Sequence, residues 1–399
     1  MRAEAAVVGG GPAGLIAARE LARRGVDVKV FEEHSIIGEP NHCAGILSVE
    51  GLDRLSIRPS SDFVQHDVTG GTAFSPDRTG LRITGNRTRA YIVDRTEFDR
   101  HLAEAALDAG AEIETGKRVS ELIRDKSNIS GVRGKDFRTK SDVVIDCEGA
   151  TGFLARSVGL PTPSEGVLSG VNVEVLGVEV EENMVEVWFG EGLAPDFFAW
   201  VAPTGEGSAR CGLACSNGDS LVRLEGFLRE RFRRYESGEP HRWPILTGGP
   251  VSRTYTANLL LVGDVAGQTK PTTGGGVIFG GLCALEAVEA VMGAYEAGDF
   301  GDLSSYERSW RSKLGKEFSS MLRFRRMVNK VSDDRMDRFF RSLKNAGLEG
   351  ALGDLVERGD MDMQSGVLRE ALSHGGVMRV AMSALGRMVL SELGDLFNI

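Results

Sequence analysis

VVGGGPAGLIAARELARRGVDVKVFEE, residues 7–33, can be read element by element. The apolar run AAVV, which begins at Ala5, is expected as a short buried strand. GGGPAG follows as a turn, LIAARELARRG has helical spacing, and VDVKVFEE returns as a second strand. Gly9, Gly11 and Gly14 keep the G-x-G-x-x-G spacing. The first allows the tight turn, the second lets backbone approach a pyrophosphate, and the third lets helix pack closely on strand. The N-terminus of the helix then offers N–H groups and partial positive charge to phosphate. Glu32 closes the second strand, where a carboxylate can bind ribose hydroxyls. Strand, turn, helix, strand and acid together predict dinucleotide binding.

The rest of the chain sets limits on that reading. Its 399 residues suggest two or three lobes. A hydrophobic content of 41% is enough for a large core. The formal charge of -10 argues against nucleic acid as a partner. Five scattered cysteines (Cys43, Cys147, Cys211, Cys215 and Cys283) suggest neither a disulfide framework nor a metal site. No signal segment precedes the first strand, and no run of about 18 apolar residues is seen. The expected compartment is the cytoplasm, with attachment to a membrane surface left open.

Farther along, LLLVGDVAGQTKPTTGGGVIFGG, residues 259–281, runs as a strand into Gly263-Asp264, a loop and a second glycine-opened helix. Asp264 is placed to bind a ribityl or ribose hydroxyl, and the Gly274–Gly276 backbone to approach a flavin edge. A helix cap is the plainer reading of Asp264. The two segments together resemble the FAD-binding domain of the para-hydroxybenzoate hydroxylase-like flavoproteins. YIVDRTEFDRHLAEAALDAGAEI, residues 91–113, resembles the segment in which an arginine contacts FAD, here Arg95. GKRVSELI, residues 116–123, places Val119 where main chain meets adenine. VVIDCEGATGFLAR, residues 143–156, resembles a further family segment but departs from it at Cys147, Glu148 and Gly152. Glu148 reads equally well as a capping acid.

Two shorter stretches carry a narrower resemblance. GEPNHCAGI, residues 38–46, resembles the cysteine-containing loop of geranylgeranyl reductases, including the archaeal digeranylgeranylglycerophospholipid reductases. FFAWVAP, residues 197–203, resembles their Y-x-W-x-F-P motif, with Phe198 for tyrosine and Ala202 for phenylalanine. It also lies close to the W-x-W-x-I-P of flavin-dependent halogenases. The resemblance implies FAD contacts from Gly9, Gly11, Ala13, Gly14 and Glu32, from Cys43, Ala44 and Gly45, and from Arg95, Val119, Asp264, Gly276 and Val277. It implies a catalytic position for Cys43, beside His42, although a free cysteine also packs as a small hydrophobe. A long apolar pocket would draw on Phe198, Trp200 and Trp188, which as single residues fit ordinary sheet core equally well.

The expected fold class is α/β: a Rossmann-like FAD-binding domain, discontinuous in sequence, with a second antiparallel-sheet substrate lobe and a helical C-terminal region. Residues 1–60, 90–162 and 250–295 are assigned to the first, 61–89 and 163–249 to the second, and 296–399 to the third. The implied activity is saturation of C=C bonds in geranylgeranyl chains of membrane lipid precursors, by hydride from reduced flavin plus protonation. The implied partners are an isoprenoid lipid and an external electron donor: ferredoxin-like, a reduced deazaflavin, or NAD(P)H. A flavin monooxygenase or halogenase, and a non-catalytic flavin carrier that binds lipid, are the alternatives. Basic residues 311–344, within an acidic protein, would suit an anionic lipid head group or membrane surface. A solvated basic helix is the plainer reading. Apolar residues 376–397 would cover a pocket or pair with a partner.

Overall fold

The computed structural model describes residues 2–41, 43–125 and 128–385. The chain forms two compact units, each gathered from three stretches. The first takes the chain up to Asn41, Arg95–Gly166 and Leu246–Phe318. The second takes the stretch ending at Asp94, Val167–Ile245 and the chain from Ser319. Three parts of the sequence division differ. Residues 43–60 and 90–94 fold with the second unit, and the C-terminal helices are divided between the two instead of standing as a separate region.

The first unit is built on a six-stranded sheet. Its order is Tyr255–Thr256, Leu259–Leu261, Val143–Asp146, Ala5–Val8, Val28–Phe31 and Glu112–Glu114. The inner pairs are parallel, with Ala5 level with both Val28 and Val143. Ala5–Val8 is buried along its length, so its residues are all apolar rather than alternating. Ala6, Val8, Val144 and Leu261 pack on one face with Leu122 and Val132 of a small antiparallel sheet, Val119–Asp125, Asn128–Gly134 and Arg138–Lys140. Glu112–Glu114 pairs with Val28–Phe31, where Lys29 bridges Glu112 at 2.6 Å and Glu114 at 3.6 Å across the exposed edge.

Helix Pro12–Arg23 begins after Gly11, with Pro12 in the first turn, where its missing N–H does no harm. Helix Val277–Ala297 packs against it and bears on the expectation of no membrane span. By length and composition this helix is apolar enough to cross a membrane. Its apolar residues are core: Ile278, Phe279, Cys283, Ala284, Ala287 and Val291 are all buried. Its acids reach other helices, Glu286 bridging Lys313 at 2.6 Å and Glu289 bridging Arg24 at 2.5 Å. A helix enclosed on several sides is apolar for that reason.

The second unit is built on a sheet in the order Glu236–Ser237, Val167–Leu176, Ser208–Cys215, Ala199–Gly205, Met184–Trp188, Gly70–Phe74 and Gly80–Thr84. It is mixed rather than purely antiparallel, since Met184–Trp188 and Gly70–Phe74 run parallel. Strict alternation gives the sheet two distinct faces. Val171, Val173, Val175, Cys211 and Leu213 face helix Ser220–Arg231 and meet its Leu224, Phe227 and Leu228. The other face carries Leu168, Asn172, Glu174, Arg210, Gly212, Ala214 and Trp200. On it sits a three-stranded sheet of Ile46–Ser48, Ala90–Val93 and Val64–Val68, with Ala202 against Ala90 and Ile92. Beyond Ser319, Phe340 and Leu343 of helix Asp333–Asn345 pack on Leu81 of the edge strand.

Candidate cofactor and active site

In the first unit, the dinucleotide turn lies at the C-terminal ends of parallel strands, where such sheets bind ligands. Gly9 has φ +101°, and a Cβ there would sit 2.3 Å from the Cys147 carbonyl oxygen. A Cβ on Gly14 would come 2.1 Å from the Gly9 carbonyl oxygen. Gly11 is different: nothing lies within 4 Å of the place a Cβ would take. Two glycines therefore close the turn, while the third borders open space. Ala13 faces two further glycines: a Cβ added at Gly263 or Gly280 would lie 3.2 or 3.5 Å from the Ala13 Cβ. Glu32 is buried beside the turn. Its carboxylate accepts the Gly10 N–H at 2.7 Å and the His34 N–H at 2.8 Å, and the His34 ring lies 2.6 Å away.

The second glycine segment completes the arrangement. Asp264 projects beside Gly276, where a Cβ would come 2.6 Å from its carboxylate oxygen. Burial pushes the Asp264 carboxyl up, and the charge of Arg95 opposes that shift. The side chain keeps some exposed surface, yet the carboxyl lies deep enough for desolvation to dominate. Arg95 opens helix Arg95–Asp108 and grips Asp99 through two bonds, of 3.0 and 2.9 Å. Val119 opens its strand and is buried in the core that includes Phe31. Val277 is the first residue of its helix, whose N-cap Gly276 supplies no capping side chain. The Pro12–Arg23 helix likewise lacks a capping side chain. Two uncapped helix starts, open space at Gly11 and acids at positions 32 and 264 fit a dinucleotide with a flavin at one end.

The departing segment is explained by its hydrogen bonds. The Glu148 carboxylate accepts N–H groups of Leu154 at 2.7 Å and Ala155 at 3.3 Å, and so caps helix Phe153–Ser157. Asp146, which no motif marks, is fully buried. One of its oxygens accepts the Glu148 N–H at 3.0 Å; the other has no partner among the described residues. Burial pushes this carboxyl well above its ordinary 3.8, and the charge of Glu148 adds to the shift. A raised folded-state value means that stability falls as pH climbs above the unfolded value. Asp146→Asn should therefore raise Tm near pH 7 by about 1 °C, roughly 1 kcal/mol for a chain of this size. The gain should vanish near pH 4, as thermal melts across pH would show.

In the second unit, Cys43, Ala44 and Gly45 run along the polar-dotted face of the sheet. Ala44 packs against the cluster of Leu168, Phe197, Trp200, Ala214 and Ile245, as Phe198 does. The cysteine-containing loop and the FFAW run, far apart in sequence, thus meet on one face. Cys43 is partly exposed, and its Sγ accepts the Gly45 N–H at 3.4 Å. Gly45 has φ +74°, and a Cβ there would lie 2.4 Å from both Arg210 Nη1 and the Val93 carbonyl oxygen. Asn172 and Arg210, which the sequence did not single out, donate to the carbonyls of Cys43 and Ala44 at 3.1 and 3.2 Å. His42 lies outside the described residues, as do those from 386 onward.

Phe197 and Phe198 stack at 4.1 Å, and Phe198 meets Trp200 edge-on at 6.4 Å. The Trp200 indole N–H is buried without a partner among the described residues. Arg325 lies over Phe197 at 4.8 Å and bonds the Asp196 carbonyl at 3.2 Å. Burial lowers its guanidinium to about 10. Trp188 is elsewhere. Val187, not Trp188, is level with Trp200, so the two tryptophans point to opposite faces. Trp188 stacks on Phe74 at 3.9 Å and donates to Glu186 at 2.8 Å. It lines a separate cavity of about 460 Å³ with Phe227, Leu193 and Arg231.

The geometry of the first unit is that of an FAD-dependent flavoprotein. Residues 2–218 match the family model of the FAD binding domain. The digeranylgeranylglycerophospholipid reductase 2 of Methanothermobacter thermautotrophicus is 36% identical over 365 residues, 87% of this chain and 93% of that protein. A geranylgeranyl bacteriochlorophyll reductase-like protein from Thermoplasma acidophilum has the same fold, with TM-score 0.84, 22% identity and 99% of each chain covered. A flavin-dependent brominase shares the fold at TM-score 0.69 and 17% identity, over 94% of this chain and 98% of that one. The chain belongs to the digeranylgeranylglycerophospholipid reductase family within the FAD-binding flavoproteins.

Proposed function

We propose that the protein saturates C=C bonds in the geranylgeranyl chains of a digeranylgeranylglycerophospholipid. One observation carries the reading beyond family membership: Ala44, next to Cys43, and Phe198 both pack against the cluster that contains Phe197 and Trp200. An isolated alkene offers no polar handle, so the protein must align it and exclude water. Phe197, Phe198 and Trp200 supply apolar wall for that purpose, with Trp188 behind the sheet. Gly9, Gly11, Ala13, Gly14 and Glu32 hold the adenosine diphosphate end of FAD. Arg95, Val119, Asp264, Gly276 and Val277 hold the remainder, and the family resemblance assigns Cys43, Ala44 and Gly45 to the cofactor as well. Reduced FAD, when bound, supplies the hydride. Cys43 holds the proton for the other carbon, its sulfur steadied by the Gly45 N–H at 3.4 Å.

The electron donor is external: a ferredoxin-like protein, a reduced deazaflavin or NAD(P)H. The enzyme works at the cytoplasmic surface of the membrane, where exposed Arg323, Arg326 and Lys330 suit anionic head groups. The test is mass spectrometry of digeranylgeranylglycerophospholipid incubated anaerobically with dithionite-reduced protein. Stepwise gain of one H2 per double bond is expected. An unchanged lipid mass, with FAD bound and reduced, would remove the reading.

A further inference from the structure

We infer that Asn172 and Arg210 are positioning residues that set the Cys43 segment on the substrate face of the second sheet. The inference rests on the assignment of Cys43 given above. It begins from a pattern that packing alone does not explain. Along Val171, Asn172, Val173, Glu174 and Val175, the valines fill the face toward helix Ser220–Arg231. The opposite face would be equally well served by apolar residues, as it is at Leu168, Ala214 and Trp200. Asn172 and Arg210 are nevertheless there, each only 3% exposed. A buried amide or guanidinium is costly unless its donors are bonded.

Those donors go chiefly to the loop and its neighbours. Asn172 Nδ2 donates to the Cys43 carbonyl. Arg210 Nη1 donates to the carbonyls of Ala44 and, at 3.1 Å, Val93, while Nη2 donates to Gln65 at 3.1 Å. Its Nε pairs with Glu174 at 2.5 Å, which fixes the fork on the sheet. Gly45 is the complement of this fork, because any side chain there would strike Nη1. The Gly45 carbonyl in turn accepts the Val93 N–H at 2.8 Å. Consecutive peptide groups around Cys43 are thereby held by side chains distant in sequence. A rigid peptide on either side limits the positions the thiol can take, and alignment of a reacting group is worth large rate factors.

The test uses holoenzyme and two readouts. Cys147, Cys211, Cys215 and Cys283 are buried, whereas Cys43 is partly exposed. Alkylation by iodoacetamide, followed by peptide mass spectrometry, therefore reports Cys43 in the native protein. Asn172→Ala and Arg210→Lys should each speed that alkylation by about 10-fold, with FAD content kept. Lysine keeps the charge but cannot reproduce the fork, so Arg210→Lys tests geometry if Asn172→Ala folds poorly. Turnover with lipid should fall about 10-fold in kcat with KM little changed. In a Cys43→Ala background, Asn172→Ala should add no further loss. Wild-type alkylation rates in both variants would overturn the inference, and so would losses that multiply with that of Cys43→Ala. If Cys43→Ala itself turns over normally, the role assigned to the thiol fails. Alkylation still decides whether Asn172 and Arg210 hold the segment.

Discussion

A Gly14→Ala chain should purify with FAD occupancy reduced at least about 10-fold, equivalent to 1.4 kcal/mol or more of lost binding. The added methyl would lie 2.1 Å from the Gly9 carbonyl oxygen and 3.2 Å from the Val7 side chain. Backbone oxygen cannot give way as a side chain can, so the Pro12–Arg23 helix must lift from the strand. Its N-terminus then leaves the position that serves the pyrophosphate, and core packing suffers too. Gly11→Ala makes the contrasting case. Its methyl meets open space in the protein, so the Tm of the FAD-free chain should match that of FAD-free wild type while FAD binding is lost. Flavin absorbance per chain, read beside a thermal melt, separates the two. Full FAD occupancy in both variants would mean that the phosphates are bound elsewhere.

Cys43→Ala should reduce lipid turnover by a factor on the order of 10², the usual scale for removing a positioned proton donor. FAD should stay bound, because the glycine turns, Glu32 and Asp264, proposed above to hold it, are untouched. Anaerobic reoxidation of the reduced flavin by lipid, followed by stopped flow, gives the rate directly. Loss of rate together with loss of flavin would instead mark Cys43 as a packing residue whose removal loosens the site. An unchanged rate would leave the thiol no part in the reaction.

The two halves of the site were unequally legible in the sequence. Gly9, Gly11, Gly14 and Glu32 declare themselves because a strand, a turn and a helix within 27 residues impose their spacing locally. Asp264 and Gly276 repeat the same logic in a second short stretch. Trp188 was grouped with Trp200 because both are aromatic residues of neighbouring strands. Which face each takes depends on register between the strands, and a one-residue shift reverses it. Asn172 and Arg210 stayed hidden for another reason. Their partners lie 129 and 166 residues away, and no local pattern reports such a pairing. Asp146 looked like the polar end of a strand, and its burial depends on strands from three regions of the chain.

The interleaving of the two units bears on how the protein is made. On the ribosome, Ala5–Val8 and Val28–Phe31 emerge early, and Val143–Asp146 joins them later. That strand then waits for its other neighbour, Leu259–Leu261, while most of the second unit is translated. During the interval a strand of three apolar residues and Asp146, buried along its length in the finished sheet, presents an unpaired edge, a state that invites aggregation and chaperone binding. Neither unit can fold to completion before the other is largely synthesised, so a mutation that slows either one exposes both to proteolysis.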